Sequence, residues 1–256
     1  MNYRDLFSCE NKVAVVTGGA GLIGREIALG LYNFGAEVYV ADINRANAEG
    51  ILNEKTGFLQ LDITSEDGIN RAFSQAIREK GRIDIVVNCA YPRTEDWGEK
   101  FENIKFTSWK DNVNNHLGGI FLCCRSAAEQ MKKQGGGVII NLASIYGISA
   151  PDFSIYEGTD MTMPAAYSAI KGGIITLTKY IAAYYGRHNV RANAISPGGI
   201  YDRQPEAFVK KYSAKTPLGR MGAPQEIVGA VIYLASEASS YVTGENLLID
   251  GGWTAW

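Results

Sequence analysis

The chain has 256 residues, 46% of them hydrophobic and 20% charged, with a formal net charge of −2. This composition excludes wholesale disorder and lets a sizeable core form without metals or disulfides, and the length suits a single domain over residues 1–256. The near-neutral balance, without a long Lys/Arg run, speaks against nucleic acid or an anionic membrane surface as partner and leaves a small molecule as the expected one.

Residues 1–10 carry no apolar signal core, and no stretch reaches the roughly 18 consecutive apolar residues of a membrane span, so a cytoplasmic protein is expected. Short β-branched runs then alternate with helical-period segments. The predicted strands cover 13–17, 37–41, 58–61, 83–88, 138–142, 190–195 and 247–249. The segments between them are long enough for crossover helices, which gives an α/β fold: a Rossmann-type, doubly wound and mostly parallel sheet of about seven strands with helices on both faces. Sheets of this kind bind ligands beyond the carboxyl ends of their strands. Three stretches break the rhythm, 91–106, 149–164 and 201–222, and each begins just after a predicted strand end, on the side where a substrate enters. Cys9, Cys89, Cys123 and Cys124 lack metal-ligand spacing, so no metal site is expected, and the adjacent pair lies in an apolar helical stretch where buried, inert thiols are common.

The first strand runs directly into Gly18-Gly19-Ala20-Gly21-Leu22-Ile23-Gly24, and apolar periodicity follows at Ile23, Ile27 and Leu31. Glycines at 18, 21 and 24 let the backbone turn tightly and approach a pyrophosphate, whose charge is favoured by a helix N-terminus. A plain strand-to-helix connection is the alternative. The second strand ends at Asp42, about 20 residues further on, where a carboxylate can accept from both adenosine ribose hydroxyls and repels a 2′-phosphate. That favours NAD over NADP, with the nearby Arg45 arguing the other way; Asp42 could also serve as a helix N-cap before Ile43. Asp62, after the third strand, can bond an adenine amine or act as a cap.

Further along, Tyr167-Ser168-Ala169-Ile170-Lys171 opens a helical segment that runs to Tyr185, and the i, i+4 spacing puts phenol and ammonium on one face. A free tyrosine has a pKa near ~10, and a neighbouring ammonium together with a positive nicotinamide favours the phenolate. Tyr167 is therefore the candidate proton-transfer group. Ser144 follows the fifth strand, where its hydroxyl can hydrogen-bond a reacting oxygen, although a serine there can also be a simple turn residue.

Taken together, the glycine turn, Asp42, Asp62, Asn88-Cys89-Ala90, Ser144, the Tyr167/Lys171 pair, Ser196-Pro197-Gly198 and Leu248-Ile249-Asp250-Gly251-Gly252 resemble the short-chain dehydrogenases/reductases, specifically the classical branch, over nearly the whole chain. The resemblance implies that Tyr167 is a general acid/base, that Lys171 binds the nicotinamide ribose and lowers the tyrosine pKa, and that Ser144 orients the substrate. It implies cofactor contacts at Gly18, Gly21, Leu22, Ile23, Gly24, Asp42, Asp62, Ile63, Asn88, Ala90, Tyr167, Lys171, Pro197, Gly198 and Ile200, and a homodimer or homotetramer.

Four features depart from the family pattern. The glycines read Gly-x-x-Gly-x-x-Gly, as in the extended branch, yet the chain is too short for that branch's C-terminal domain. His116-Leu117-Gly118-Gly119 puts a histidine where the proton-relay asparagine is usual, with Asn114 and Asn115 as neighbours that a shifted alignment would use. There His116 can hold a relay water and titrate near neutral pH, or be merely packed. The interval from Ser144 to Tyr167 is longer than usual, and Asp202 replaces the threonine that normally follows the proline-glycine turn.

The rim looks polar: Tyr91-Pro92-Arg93-Thr94-Glu95-Asp96, then Arg203, Lys210, Lys211 and Lys215. Polar rims suit a hydroxylated, phosphorylated or nucleotide-linked sugar better than a steroid or acyl chain, unless these are solvated loops. Tyr91-Pro92-Arg93, Ser144-Ile145-Tyr146-Gly147 and Ile155-Tyr156-Glu157-Gly158-Thr159 with Met163-Pro164 resemble oxidoreductases of flagellin-modification or nonulosonic-acid pathways, which implies an amino-sugar or sialic-acid-like substrate with Arg93 meeting an anionic group. The expected activity is NAD-dependent hydride transfer between nicotinamide and an alcohol or carbonyl of a sugar-like substrate. A general carbonyl or 3-oxoacyl-carrier-protein reductase, and a catalytically weak nucleotide-binding sensor or scaffold, are the alternatives.

Overall fold

The computed structural model describes residues 2–255. Seven strands form one sheet: β1 (Val13–Thr17), β2 (Glu37–Asp42), β3 (Thr56–Gln60), β4 (Ile85–Asn88), β5 (Gly137–Leu142), β6 (Val190–Pro197) and β7 (Asn246–Ile249). Their order is β3-β2-β1-β4-β5-β6-β7. Every pairing is parallel, so the expected mostly parallel sheet is wholly parallel. Buried on both faces, the strands carry continuous apolar runs such as Val13-Ala14-Val15-Val16.

Helices α1 (Leu22–Asn33), α2 (Glu66–Lys80), α3 (Phe106–Asn112), α4 (Gly119–Gln134), α5 (Ala165–Tyr185), α6 (Glu206–Lys215) and α7 (Val228–Ala235) connect the strands. One core cluster packs α2, α4 and α5 on one sheet face through Ile69, Phe73, Cys123, Met131, Ile170 and Ile174. The other packs α1 and α7 through Ile27, Leu31, Val231 and Leu234. No helix among the described residues is long and apolar enough to cross a membrane.

Strand ends shift modestly from the expected bounds. β3 starts at Thr56 because its backbone continues the ladder opposite Val38 before the apolar run begins. β6 extends to Pro197, which sits at the strand's end opposite Ile249, where a missing N–H is tolerated. A π-helical turn, Val113–Gly118, joins α3 to α4 and carries His116. Such turns insert a residue into the helix and often mark functional positions. Chain order reverses between β1 and β4, which opens a crevice at the carboxyl ends of these strands.

Candidate active site

A cavity of about 740 Å³ occupies that crevice. At one end lies the β1–α1 turn. Gly18 has φ +64°, and a Cβ on it would sit 2.6 Å from the Ala90 Cα; a Cβ on Gly24 would sit 2.2 Å from the Gly18 carbonyl oxygen. The backbone can pack this closely only without side chains, leaving the turn and the start of α1 as a cradle for a phosphate group. Gly18, Gly21, Leu22, Ile23 and Gly24 all line the cavity.

Asp42 lines it too, at the end of β2. Its Oδ2 accepts from the Ala20 N–H at 3.0 Å and its Oδ1 from the Asn44 N–H at 3.1 Å, so each oxygen keeps acceptor capacity for a hydroxyl. The cap alternative for Asp42 is corrected: Asn44 caps the following short helix Arg45–Ile51 because it stands directly before it. Arg45 lies over the Phe58 ring, 5.3 Å from its centroid. Likewise Ser65, not Asp62, caps α2, while the Asp62 Oδ1 accepts from the backbone and hydroxyl of Thr64. Asp62 and Ile63 line the same cavity.

At the other end stand Ser144, Tyr167 and Lys171, with Ala90, Pro197, Gly198, Ile200 and Arg93 around them. Pro164 is the N-cap of α5, so Tyr167 falls in the first turn and Lys171 one turn later. Ser144 ends the stretch after β5 and accepts from the Tyr146 N–H at 3.2 Å. The Lys171 Nζ donates to the Leu142 carbonyl at 2.7 Å, and burial lowers its pKa to about 8. Burial pushes the Tyr167 phenol up, with the Ser144 hydroxyl working in the opposite sense. The expected lowering by Lys171 is therefore not the dominant effect here: desolvation outweighs it, and the ammonium donates to the Leu142 carbonyl.

Two predicted site residues do not line the cavity. Asn88 is buried in the sheet: its Nδ2 donates to the Asn141 Oδ1 at 2.8 Å and its Oδ1 accepts from the Thr17 hydroxyl at 3.4 Å, so its side chain braces strands instead of facing a cofactor. His116 is fully buried in the π turn, with neither ring nitrogen partnered, its ring 5.1 Å from Tyr91. Burial, then the Lys171 charge, lowers its pKa to about 2. The expected titration near neutral pH is thus corrected: His116 is neutral across the physiological range. Of the two alternatives, Asn114 is exposed and Asn115 half-buried, and neither lines the cavity.

The rim also differs from expectation. Segments 149–164 and 201–222 share a small hydrophobic cluster of Ile155, Tyr156, Phe208, Tyr212 and Met221, flanked by Met161 and Met163. Tyr156, Met161, Met163, Phe208 and Met221 face the cavity, so this wall is apolar. Lys211 donates to the carbonyls of Ser154 and Glu157, and Lys215 pairs with Asp152. These lysines hold the two segments together, and Asp202, Arg203 and Lys210 are exposed. Sequence reasoning did not single out Tyr146, Tyr156, Met161, Thr162, Gln204 or Phe208, all of which line the cavity. Tyr146 and Tyr156 stood within quoted segments, but their inward direction depends on packing across the two rims.

A family model described as enoyl-(acyl carrier protein) reductase matches residues 18–254. The chain is 35% identical over 252 residues to post-translational flagellin modification protein A of Campylobacter coli, covering 95% of this chain and 98% of that protein. A short-chain dehydrogenase from Leptospira borgpetersenii, solved with bound NAD+, superposes with a TM-score of 0.88 at 36% identity, covering 99% of this chain and 96% of that one. A gluconate 5-dehydrogenase from Burkholderia cenocepacia, solved with NADP and tartrate, gives a TM-score of 0.89 at 28% identity, covering 100% of both chains.

Because His116 takes up a proton in the unfolded chain near pH 6.5 but only near 2 when folded, its contribution to stability is fully present above pH 6.5 and is lost as the pH falls below that value. At pH 5 the loss is on the order of 2 kcal/mol. A His116→Gln variant should therefore lose less in thermal midpoint between pH 7.5 and 5 than the parent; equal losses would contradict the buried neutral histidine. For the rim, a Lys211→Met/Lys215→Met double variant should be cut faster by protease within 149–164 or 201–222, with the global thermal midpoint within roughly 4 °C of the parent. Unaltered cleavage would show that the apolar cluster alone fastens the rim.

Proposed function

The chain belongs to the short-chain dehydrogenase/reductase family, and from that premise we propose that it acts, as one NAD-binding unit in the cytoplasm, on a CH–OH or carbonyl carbon of a polar, sugar-like substrate. One observation carries the proposal: a single cavity runs from the glycine turn and Asp42 to Ser144, Tyr167 and Lys171. The first end fits a dinucleotide, with a cradle that any Cβ would fill and a carboxylate placed for ribose hydroxyls. The second end holds the groups that manage a proton.

When bound, the nicotinamide supplies or accepts the hydride. The chain's own residues do the rest. The Ser144 hydroxyl donates to the substrate oxygen and holds it beside the Tyr167 Oη. Tyr167 gives a proton to that oxygen in reduction and takes one in oxidation. Lys171, charged below pH of about 8, keeps a positive charge under the phenol and makes its ionised form less costly.

NAD is preferred to NADP on the strength of Asp42, which lines the cavity, and of Arg45, which is turned to Phe58. The sugar-like substrate is supported by the polar groups that alternate with the apolar wall, namely Arg93, Tyr146, Tyr156, Thr162 and Gln204. It is supported as well by the similarity to a gluconate 5-dehydrogenase and to the flagellin-modification protein. The wall of Met161, Met163, Phe208 and Met221 is the specific observation that favours a second reading, a general carbonyl or 3-oxoacyl-carrier-protein reductase. A second copy of the chain is proposed to dock on α4 and α5, where Phe121, Tyr180 and Tyr184 are exposed.

NADH should bind more tightly than NADPH by fluorescence titration, and Asp42→Ala should narrow that gap; tighter NADPH would overturn the cofactor assignment. Tyr167→Phe should keep NADH binding yet lose turnover about 100-fold or more on a panel of sugar acids, nucleotide sugars and acyl thioesters. Turnover confined to acyl thioesters favours the second reading, and undiminished turnover removes Tyr167 from the chemistry. In light scattering, a Phe121→Glu/Tyr184→Glu variant should have a smaller mass than the parent; an unchanged mass would place any self-association elsewhere.

A further inference from the structure

Tyr91 is the hub of an aromatic cluster around Tyr167 and Lys171. Its ring centroid lies 5.1 Å from that of His116, 5.6 Å from Trp97 and 5.8 Å from Tyr167, each in an edge-on arrangement. Trp97 completes the cluster at 6.3 Å from Tyr167. Two cations approach the Tyr91 ring: the Lys171 Nζ at 5.8 Å and the Arg93 guanidinium carbon at 5.7 Å from its centroid.

The backbone fixes the ring in place. Tyr91 precedes Pro92, which restricts it to extended conformations. The loop behind it is pinned to α3: the Thr94 N–H donates to the Asn112 Oδ1 at 3.0 Å, Asn112 Nδ2 donates to the Thr94 hydroxyl at 2.8 Å, and the Ser108 hydroxyl donates to Asp96 at 2.6 Å. This rim segment is therefore braced against α3, although many of its side chains, Tyr91 at 39% included, are exposed.

An ammonium offers three N–H donors. That of Lys171 is 6% exposed and meets the Leu142 carbonyl. The groups that face it are the Cys89 thiol at the end of β4, kept protonated by burial with a pKa raised to about 12, neutral His116 from the π turn, Tyr167 on its own helix, and Tyr91 from the rim. Arg93, on the Tyr91 ring, is the next charge. None of these carries the negative charge that a buried ammonium ordinarily requires. The negative potential available to it comes from carbonyl dipoles and from the faces of the two phenol rings.

We propose that Tyr91 is a positioning residue for Lys171, its ring face holding the buried ammonium charged where a carboxylate would otherwise be needed. The proposal rests on Tyr167 and Lys171 being the reacting pair. Burial already pulls the Lys171 ammonium down to about 8, and loss of the ring leaves the charged form less supported, so the lysine deprotonates at lower pH.

The test is an NMR titration of the full-length, cofactor-free protein carrying carbon-13 at lysine Cε, with the Lys171 signal identified by its loss in Lys171→Met. The midpoint should lie near 8 in the parent and remain there in Tyr91→Phe, which keeps the ring. In Tyr91→Leu it should fall by about one pH unit, between the sizes of an exposed and a desolvated cation–π contact because the ammonium is buried and the ring is partly exposed, and the alkaline limb of kcat/KM should move the same way. A Tyr91→Leu midpoint equal to that of the parent would overturn the proposal even if the variant is slow, because a merely structural role lowers rate or thermal midpoint without moving the titration. Should Tyr91→Leu not fold, Tyr91→Met, which fills the space without a π face, makes the same comparison. Full activity in Tyr167→Phe would sink the assignment of the reacting pair and leave the titration result standing.

Discussion

A chain of buried hydrogen bonds runs across the molecule beneath the cleft. The Thr17 hydroxyl on β1 donates to Asn88 on β4, Asn88 donates to Asn141 on β5, and Asn141 donates to the Thr178 hydroxyl on α5, which in turn donates to the Ile174 carbonyl. Asn88, Asn141 and Thr178 are at most 1% exposed, so each bond is made without competition from water. This chain ties the helix that bears Tyr167 and Lys171 to the strands that bear the glycine turn and Leu142. Apolar packing alone permits small slides between helix and sheet; directional bonds between carboxamides permit few. The distance between the two ends of the cleft is therefore set by polar groups inside an apolar core.

The opposite constraint governs the rim. There the contacts are apolar inside and ionic outside: Ile155, Tyr156, Phe208 and Met221 pack together, while Lys211 and Lys215 reach across to the 149–164 segment from α6. Exposed ion pairs contribute little to stability, on the order of 0–1 kcal/mol each, but they select one relative placement of two segments that methionine and aromatic side chains would let shift. The inserted segment and α6 thus form one wall of the cleft. Its shape is a property of the pair and not of either segment alone.

Much of this was legible in the sequence, for identifiable reasons. All seven strands were, because β-branched runs buried on both faces leave continuous apolar stretches, and the glycine turn was, because its neighbours on both sides announce a strand and a helix. Tyr167 and Lys171 share a face by spacing alone. What depended on distant partners was not legible. The direction of the Asn88 side chain is decided by Asn141 on another strand, the protonation of His116 by burial and by Lys171 on another helix, and the lysines of α6 look solvent-facing until the inserted segment is in place. Asp42 failed as a cap for a local reason: Asn44 stands nearer the helix and takes that role.

The cleft floor is where ordinary burial rules are broken, and the breaks adjoin one another. His116 is fully buried with no protein partner for either ring nitrogen, and Lys171 is buried without a counter-charge. An unpartnered buried polar group costs roughly 1–3 kcal/mol, so apolar residues at these positions would give a firmer core. Tyr91 touches both, edge-on to His116 and within cation–π range of Lys171. The positive lysine is one reason the histidine stays neutral, and a charged histidine there would oppose the lysine in turn. His116, a departure from the family pattern, and Tyr91 on the rim therefore bear on the same ammonium. Stability given up at adjoining positions around one charged atom, while the surrounding sheet is fully paired, is how a fold distributes strain when that atom must remain charged in a dry place.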